Sequence, residues 1–176
     1  MPVRRRDFLV GSIAAAAGLS GAARCAAAEK QHPLAFYHIH TGEKLKIVYR
    51  EQGELIPGAL EEINYFLRDF RTEQIHKIDV GLLDELVRIY RNFDCRGNFE
   101  VISGYRSPRT NEALRHLTTG VAEHSLHLSG RAIDVRLTST ATTNLRDAAI
   151  ALRSGGVGYY ARSNFVHVDT GAFRTW

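Results

Sequence analysis

Two stretches in the first half of the chain repeat apolar residues at the spacing of an amphipathic helix. The first starts at Pro57, a residue suited to the first turn of a helix, and the second follows Asp79, whose carboxylate can cap a helix. Intervals of three and four residues place the apolar side chains on one face of each helix. These faces, which we predict to be core, contain Leu60, Ile63, Phe66, Leu67 and Phe70 in the first helix and Leu82, Leu83, Leu86, Ile89, Tyr90 and Phe93 in the second.

Alternation of apolar and polar residues predicts strands on either side of these helices. Residues 36–40 and 45–50 flank a Thr-Gly-Glu turn and are expected to form a β-hairpin, after a short polar linker at 29–33. Beyond Gly97 the pattern predicts, in order, a strand at 99–103, a helix at 108–116, a loop at 117–129, a strand at 132–137, a helix at 145–153 and strands at 157–160 and 165–169. This order predicts the α+β class, with a small antiparallel sheet and helices packed on one face.

Most of the positive charge precedes the predicted domain. Residues 1–28 carry +3 of the net charge of +4 and residues 29–176 carry +1, so no basic stripe for nucleic acid is predicted. The segment R-R-x-F-L at 5–9 resembles the twin-arginine export signal, and Ala26-Ala27-Ala28 offers a cleavage site. We therefore predict a signal peptide at 1–28, a single domain at 29–176 and a periplasmic location. A membrane anchor that is not cleaved is the alternative interpretation.

The two cysteines indicate a domain without disulfides. Cleavage after Ala28 removes Cys25 and leaves Cys95, so neither an internal disulfide nor a cysteine-based zinc site is expected. Cys95 is predicted to be a small buried residue. We expect a monomer that has no stable membrane insertion after cleavage.

Three polar residues occupy unusual positions in the second half of the chain. Asp134 lies between Ile133 and Val135 on a predicted strand, so its carboxylate is on the face opposite the two apolar side chains. His127 precedes it in a loop, and His167 lies on a later strand between two valines. Two histidines and one carboxylate are a common ligand set for catalytic zinc, with a fourth position left for water. Taken singly, each residue could equally be a structural hydrogen-bonding group.

The order of short motifs is more specific than these spacings. S-x-H-x-x-G-x-A-x-D, from Ser125 to Asp134, resembles the signature of the zinc D-Ala-D-Ala peptidases related to the hedgehog zinc domain, and within them the murein endopeptidase K group. The segments at 103–107 (S-G-Y-R-S, with Asn111 following), 155–160 (G-G-V-G-Y-Y) and 165–171 (F-V-H-V-D-T-G), together with the closing R-x-W, are similar to segments of that group. The resemblance covers residues 98–176 firmly.

The resemblance implies roles for individual residues. His127, Asp134 and His167 would bind one Zn²⁺ per chain. Arg106 would stabilise the carbonyl oxygen of the scissile bond or hold a substrate carboxylate, a task suited to a permanently charged guanidinium. A surface ion pair is the alternative interpretation of Arg106. The implied substrate is a peptidoglycan stem peptide or crosslink with D-amino acids at the cleaved bond.

The general base is less well defined, because the sequence departs from the family at the positions that supply it. Members of the family place Glu three residues before the last histidine or His two before it, but this chain has Asn164 and Phe165. Asp169 is the first candidate for a base or for an orienting partner of His167, and a structural carboxylate that binds backbone amides near Gly171 is its alternative. His124 is the second candidate, or else an exposed loop residue.

The sequence therefore predicts a zinc metallopeptidase that hydrolyses peptidoglycan peptides. The alternatives are a zinc-stabilised module that binds wall peptides without cutting them and a metal-free structural domain. Which bond is cut, and whether the enzyme is an endopeptidase or a carboxypeptidase, stays open. The aromatic residues that are expected either to line a substrate groove or to pack in the core are Tyr105, Tyr159, Tyr160 and Trp176.

Overall fold

A computed structural model describes residues 31–117 and 121–176, so the predicted signal segment lies outside the described residues. The elements are β1 (Gln31–His38), β2 (Lys44–Glu51), β3 (Glu54–Leu55), α1 (Pro57–Phe66), α2 (Val80–Arg91), β4 (Phe99–Ser103), α3 (Pro108–Leu117), a 3₁₀ helix (Leu126–Ser129), β5 (Ala132–Leu137), α4 (Thr142–Leu152), β6 (Gly156–Tyr160), β7 (Phe165–Asp169) and β8 (Arg174–Thr175). The predicted α+β class is confirmed.

The eight strands of the described residues form one sheet in the order β3-β2-β1-β4-β5-β7-β6-β8. Five neighbouring pairs are antiparallel, whereas β1–β4 and β6–β8 are parallel. The sheet is therefore larger than expected and mixed rather than purely antiparallel. The edge strands β3 and β8 have two residues each, which is too short to produce a period-two pattern in the sequence.

Strand β1 begins earlier than the hydrophobic pattern suggested. It starts at Gln31, so most of the predicted linker at 29–33 belongs to the strand. Its pairing with β2 shifts register between Gln31 and Pro33. Proline lacks a backbone N–H for the ladder and is tolerated in a strand where such an irregularity occurs.

One hydrophobic core joins the sheet to helices α1, α2 and α4. Alternate residues of β5 and β7, such as Ile133 and Val168, point into it together with Ile63 and Leu86 from the helices. Asp79 caps α2 by accepting from the Gly81 amide, as predicted. The helices end before the last residues of their apolar patterns, and Cys95 is partly buried against the core. The opposite face of β5 and β7 is left for polar side chains.

The loop between β4 and α3 is fixed to the segment that follows α1. The Tyr105 amide donates to Leu67 O at 2.8 Å, and the Ser107 amide donates to Asp69 Oδ2 at 2.8 Å. Gly104 permits this approach, because a Cβ atom there would lie 2.6 Å from Leu67 O. The loop that contains Arg106 is therefore rigidly placed. No helix among residues 31–117 and 121–176 combines the length and apolarity needed to cross a bilayer.

Candidate metal centre

Two of the predicted ligands face each other across neighbouring strands. In the antiparallel pair β5–β7, Asp134 is directly opposite His167. Residues opposite each other on such strands project from the same face with their Cβ atoms about 5 Å apart. His167 Nδ1 and Asp134 Oδ1 are 2.8 Å apart, and both side chains are buried. Strand pairing thus joins residues that are 33 positions apart in sequence.

The third predicted ligand is delivered by a short 3₁₀ helix just before β5. Ser125 caps this helix, its Oγ accepting from the His127 amide at 3.4 Å. Gly130 ends it in the left-handed region with φ of 65°, where its backbone also packs closely against Lys77 O. The serine, histidine and glycine of the motif therefore cap, supply and terminate one turn, and this turn places the His127 ring beside Asp134.

Three ligand atoms converge on one point. His127 Nε2 lies 3.2 Å from His167 Nδ1 and 3.3 Å from Asp134 Oδ1, which completes a triangle with the 2.8 Å contact. A tetrahedral zinc ion with ligands at about 2.0–2.1 Å holds those ligands about 3.3 Å apart. The three atoms therefore have the chemical identity and the spacing that zinc requires.

Hydrogen bonds to the remaining ring nitrogens orient both imidazoles. His127 Nδ1 lies 2.7 Å from the Gly104 carbonyl oxygen, and His167 Nε2 lies 2.9 Å from Asp169 Oδ2. A carbonyl or carboxylate oxygen accepts, so these nitrogens carry the protons. When both rings are neutral, the lone pairs of His127 Nε2 and His167 Nδ1 therefore point at the centre, as in carboxylate–histidine–zinc arrangements.

The charged groups of the site favour positive charge between the two aspartates. Burial by itself raises the pKa of Asp134. The neighbouring His127 and His167 more than offset this effect and bring the pKa well below its usual range. Burial lowers the pKa of His167, but the hydrogen bonds with Asp134 and Asp169 more than compensate and raise it to about 9. At neutral pH a proton on His167 therefore occupies the charge position that a cation would take.

Arg106 lies beside this centre, and its side-chain contacts with residues 31–117 and 121–176 are long. Its side chain is only 12% exposed, so it is not a surface ion-pair residue. Its guanidinium is 3.7 Å from Asp134 Oδ2, 3.4 Å from Asn111 Oδ1 and 3.5 Å from Ser103 Oγ. Burial lowers the pKa of Arg106, although Asp134 opposes this shift. Since the guanidinium makes only long hydrogen bonds within the described part of the chain, it is available for an anionic or carbonyl group in the cleft.

The two candidates for the general base occupy different places. Asp169 is fully buried on the far side of the His167 ring from Asp134, and its Oδ1 accepts from the Gly171 amide at 2.8 Å. It thus has both of the contacts that the sequence suggested as alternatives, to His167 and to a backbone amide. His124 is exposed and lines the cleft that contains the ligands, but it is not part of the converging group.

The cleft has a volume of about 680 Å³ and reaches the ligands from the outside. Among the four aromatic residues considered from sequence, Tyr160 and Trp176 line it. Tyr105 is instead buried and stacks on His76, and Tyr159 packs partly against the core.

Three contributors to the site received no role from the sequence. They are the carbonyl oxygen of Gly104, the guanidinium of Arg174 and the absence of a side chain at Gly158. A backbone carbonyl carries no residue-type signal. Arg174 and Gly158 lie in the R-x-W and G-G-V-G-Y-Y segments, which were noted for their resemblance but not for their contacts.

Comparison with known proteins finds a matching family and several similar proteins. A family model described as peptidoglycan L,D-endopeptidase MepK matches residues 26–176, which include every site residue described above. The chain is 40% identical over 175 residues to peptidoglycan L,D-endopeptidase MepK of Escherichia coli, and the match covers 98% of this chain and 96% of that protein. It is 43% identical over 148 residues to the probable peptidoglycan L,D-endopeptidase MepK of Haemophilus influenzae, and this match covers 84% of this chain and 80% of that protein.

Proposed function

This chain belongs to the family of peptidoglycan L,D-endopeptidase MepK and is a peptidase, and we propose that it cleaves peptide bonds of peptidoglycan with one zinc ion. The family membership supports hydrolysis rather than the alternative of a binding module. The L,D-endopeptidase names of the relatives support a crosslink or stem bond between an L- and a D-centre as the bond that is cut.

The observation that carries the proposal is the convergence of His127 Nε2, Asp134 Oδ1 and His167 Nδ1 within 3.3 Å of one another. Imidazole nitrogens and a carboxylate oxygen suit zinc, and the cleft leaves one side of the group accessible to a substrate. When bound there, zinc supplies Lewis acidity and lowers the pKa of a coordinated water to about 7.

Arg106 acts on the substrate side of the centre. Its guanidinium donates hydrogen bonds to the carbonyl oxygen of the scissile bond as negative charge develops on it. The Arg106 side chain is only 12% exposed, so little water screens its charge and the interaction is stronger. The amide of Arg106 donates to the His127 carbonyl oxygen at 3.1 Å, and this hydrogen bond fixes the position of the arginine relative to the predicted ligand.

Asp169 acts on His167 rather than on water. Its Oδ2 bonds the ring nitrogen that faces away from the ligand triangle, and its Oδ1 is occupied by backbone amides. We assign it the role of orienting partner. His124, at the wall of the cleft, is then the proposed acceptor of the proton from the attacking water.

The proposed substrate sets the location of the protein. Peptidoglycan lies outside the cytoplasmic membrane, so the protein acts in the periplasm or on the cell exterior. A periplasmic location reached by twin-arginine export, with cleavage after Ala28, is supported by the R-R-x-F-L segment at 5–9.

Digestion of purified peptidoglycan tests this function. The protein should release peptides from sacculi, lose this activity in EDTA and regain it with Zn²⁺, and mass spectrometry of the products identifies the bond. His167→Ala should abolish release, whereas His116→Ala, an exposed histidine of α3, should not. Retained binding to sacculi without any released peptide would support the binding module instead.

A further inference from the structure

The segment Arg174–Trp176 lies beside one predicted metal ligand, His167, and both Arg174 and Trp176 line the cleft. We propose that Arg174 and Trp176 are positioning residues that hold the imidazole of His167 in its metal-binding orientation. This inference rests on the proposed function, and it assigns a task to two residues that the catalytic scheme above does not use.

Arg174 reaches His167 through Asp169. Its guanidinium binds the carboxylate in a fork, with Nη2 at 2.7 Å from Oδ2 and Nη1 at 3.1 Å from Oδ1. The same Oδ2 is 2.9 Å from His167 Nε2. A bidentate contact fixes the plane of the carboxylate, and this plane sets the direction of the hydrogen bond to the imidazole. Arg174 therefore controls the angle of the His167 ring indirectly, through Asp169.

Trp176 reaches the same ring directly. The two ring centroids are 5.3 Å apart at an angle of 50°. The indole is held in turn, because its Nε1 donates to Tyr160 Oη at 3.0 Å and the Arg174 guanidinium lies 4.9 Å above its ring. An anchored indole against the imidazole restricts rotation of the His167 side chain.

Two glycines of β6 make room for this arrangement. Gly158 is opposite His167 in the β6–β7 ladder, and a Cβ atom there would lie 2.6 Å from Cε2 of Trp176. A Cβ atom on Gly156 would lie 2.5 Å from Asp169 Oδ2. Neither glycine has positive φ, so close approach explains them rather than backbone conformation. The surface of β6 next to the ligand is thus shaped to receive Arg174 and Trp176.

The backbone of the segment is also tied to β6. β8 pairs with β6 in parallel, the Tyr159 amide donates to Trp176 O at 2.9 Å, and the Trp176 amide donates to Val157 O at 3.3 Å. The segment is therefore attached to the strand next to β7. Loss of a partner that orients a ligand commonly lowers metal affinity or activity by about 10–100-fold.

Zinc affinity and turnover test the inference together. Apparent zinc dissociation constants are measured on the purified protein by competition with a chelator, and kcat and KM are measured on isolated muropeptides. Arg174→Ala, Trp176→Ala and Gly158→Ala should each weaken zinc binding by about 10-fold or more and lower kcat. Arg174→Ala should leave KM nearly unchanged. Arg174→Lys and Trp176→Phe should restore part of the loss, since they keep the charge or the ring.

A spectroscopic signal reports the contact itself. Trp176 is the only tryptophan of the chain, so its fluorescence comes from the position beside His167. Zinc added to the metal-free wild type should change this emission, and in Arg174→Ala the change should require at least 10-fold more free zinc.

Matched controls are a second exposed arginine and a second exposed aromatic residue. Arg88→Ala removes a surface arginine of α2 that bonds Ser154, and Tyr65→Ala removes a half-exposed ring of α1. Both should bind zinc and turn over substrate like the wild type. Melting temperatures of the metal-free variants separate weakened zinc binding from incomplete folding.

Each outcome decides one of the two proposals. Wild-type zinc affinity and kcat in Arg174→Ala and Trp176→Ala would overturn the positioning role, as would losses that are fully explained by the unfolded fraction. If the wild type itself neither retains zinc nor releases peptides, the proposed function fails and the inference with it. Weaker zinc binding by folded variants of an active wild type supports the positioning role.

Discussion

Replacing Asp169 with asparagine exchanges one carboxylate oxygen of a fully buried side chain for an NH₂ group. This change should move the ring proton of His167, a predicted metal ligand, from Nε2 to Nδ1. The carboxylate has a divided set of partners. Oδ1 accepts from the amides of Gly156 and Gly171 at 3.1 and 2.8 Å and from Arg174 Nη1 at 3.1 Å. Oδ2 accepts from His167 Nε2 at 2.9 Å and from Arg174 Nη2 at 2.7 Å. Backbone amides can only donate, so the oxygen of the asparagine must take the Oδ1 position. Its NH₂ group then faces His167 and also Nη2 of Arg174, which loses its acceptor.

An NH₂ group opposite His167 Nε2 requires a lone pair on that nitrogen. The proton of the neutral imidazole would move to Nδ1, the atom that faces Asp134 and the metal position. Metal binding would have to displace this proton or give up the contact with residue 169. A hydrogen bond to a charged group contributes about 2 kcal/mol, which corresponds to roughly a 30-fold weaker apparent zinc affinity.

The assay is a competition titration of Zn²⁺ against a chelator at pH 7, with turnover of muropeptides measured on the same samples. Asp147→Asn is the matched control, because Asp147 on α4 is exposed and bonds only to Arg146 among the contacts described. We expect wild-type zinc affinity in this control. Zinc affinity within threefold of the wild type in folded Asp169→Asn would refute the orienting role, and so would an unchanged kcat.

Three further predictions concern the charge of His167, the turn at Gly130 and the contact between Asp69 and Ser107. Without metal, the folded-state pKa of His167 of about 9 exceeds the ordinary 6.5, so its stabilisation of roughly 3 kcal/mol is complete below pH 6.5 and is lost as the pH rises through 9. Urea unfolding of the EDTA-treated protein from pH 6 to 10 measures this, and a flat profile contradicts it. Gly130→Ala should destabilise the protein by more than about 1 kcal/mol, because φ is positive and Lys77 O blocks a Cβ atom; an unchanged melting temperature opposes this. Asp69→Ala should cost about 1–3 kcal/mol by leaving the buried Ser107 amide unpaired, as denaturant midpoints would show, and a loss below about 0.5 kcal/mol would count against it.

Local sequence was sufficient wherever one element decides the outcome. Asp134 between two apolar residues, and His167 between two valines, could only project from the face opposite the core, because side chains alternate along a strand. Ser125 and Gly130 bracket a single turn and can be interpreted without knowledge of the rest of the fold. The α+β class followed from these patterns and was confirmed by the structure.

Tertiary structure decided which of these faces meet and which atoms point where. Periodicity assigns a face but neither a neighbour nor a register, so only the sheet order places Asp134 opposite His167 and Gly158 next to them. The orientation of Asp169, which selects between the two ring nitrogens of His167, depends on the Gly156 amide of another strand, and the close packing of Trp176 depends on a strand of two residues. These features arise from contacts between segments distant in sequence, whose geometry is set by packing of the whole chain rather than by any local pattern.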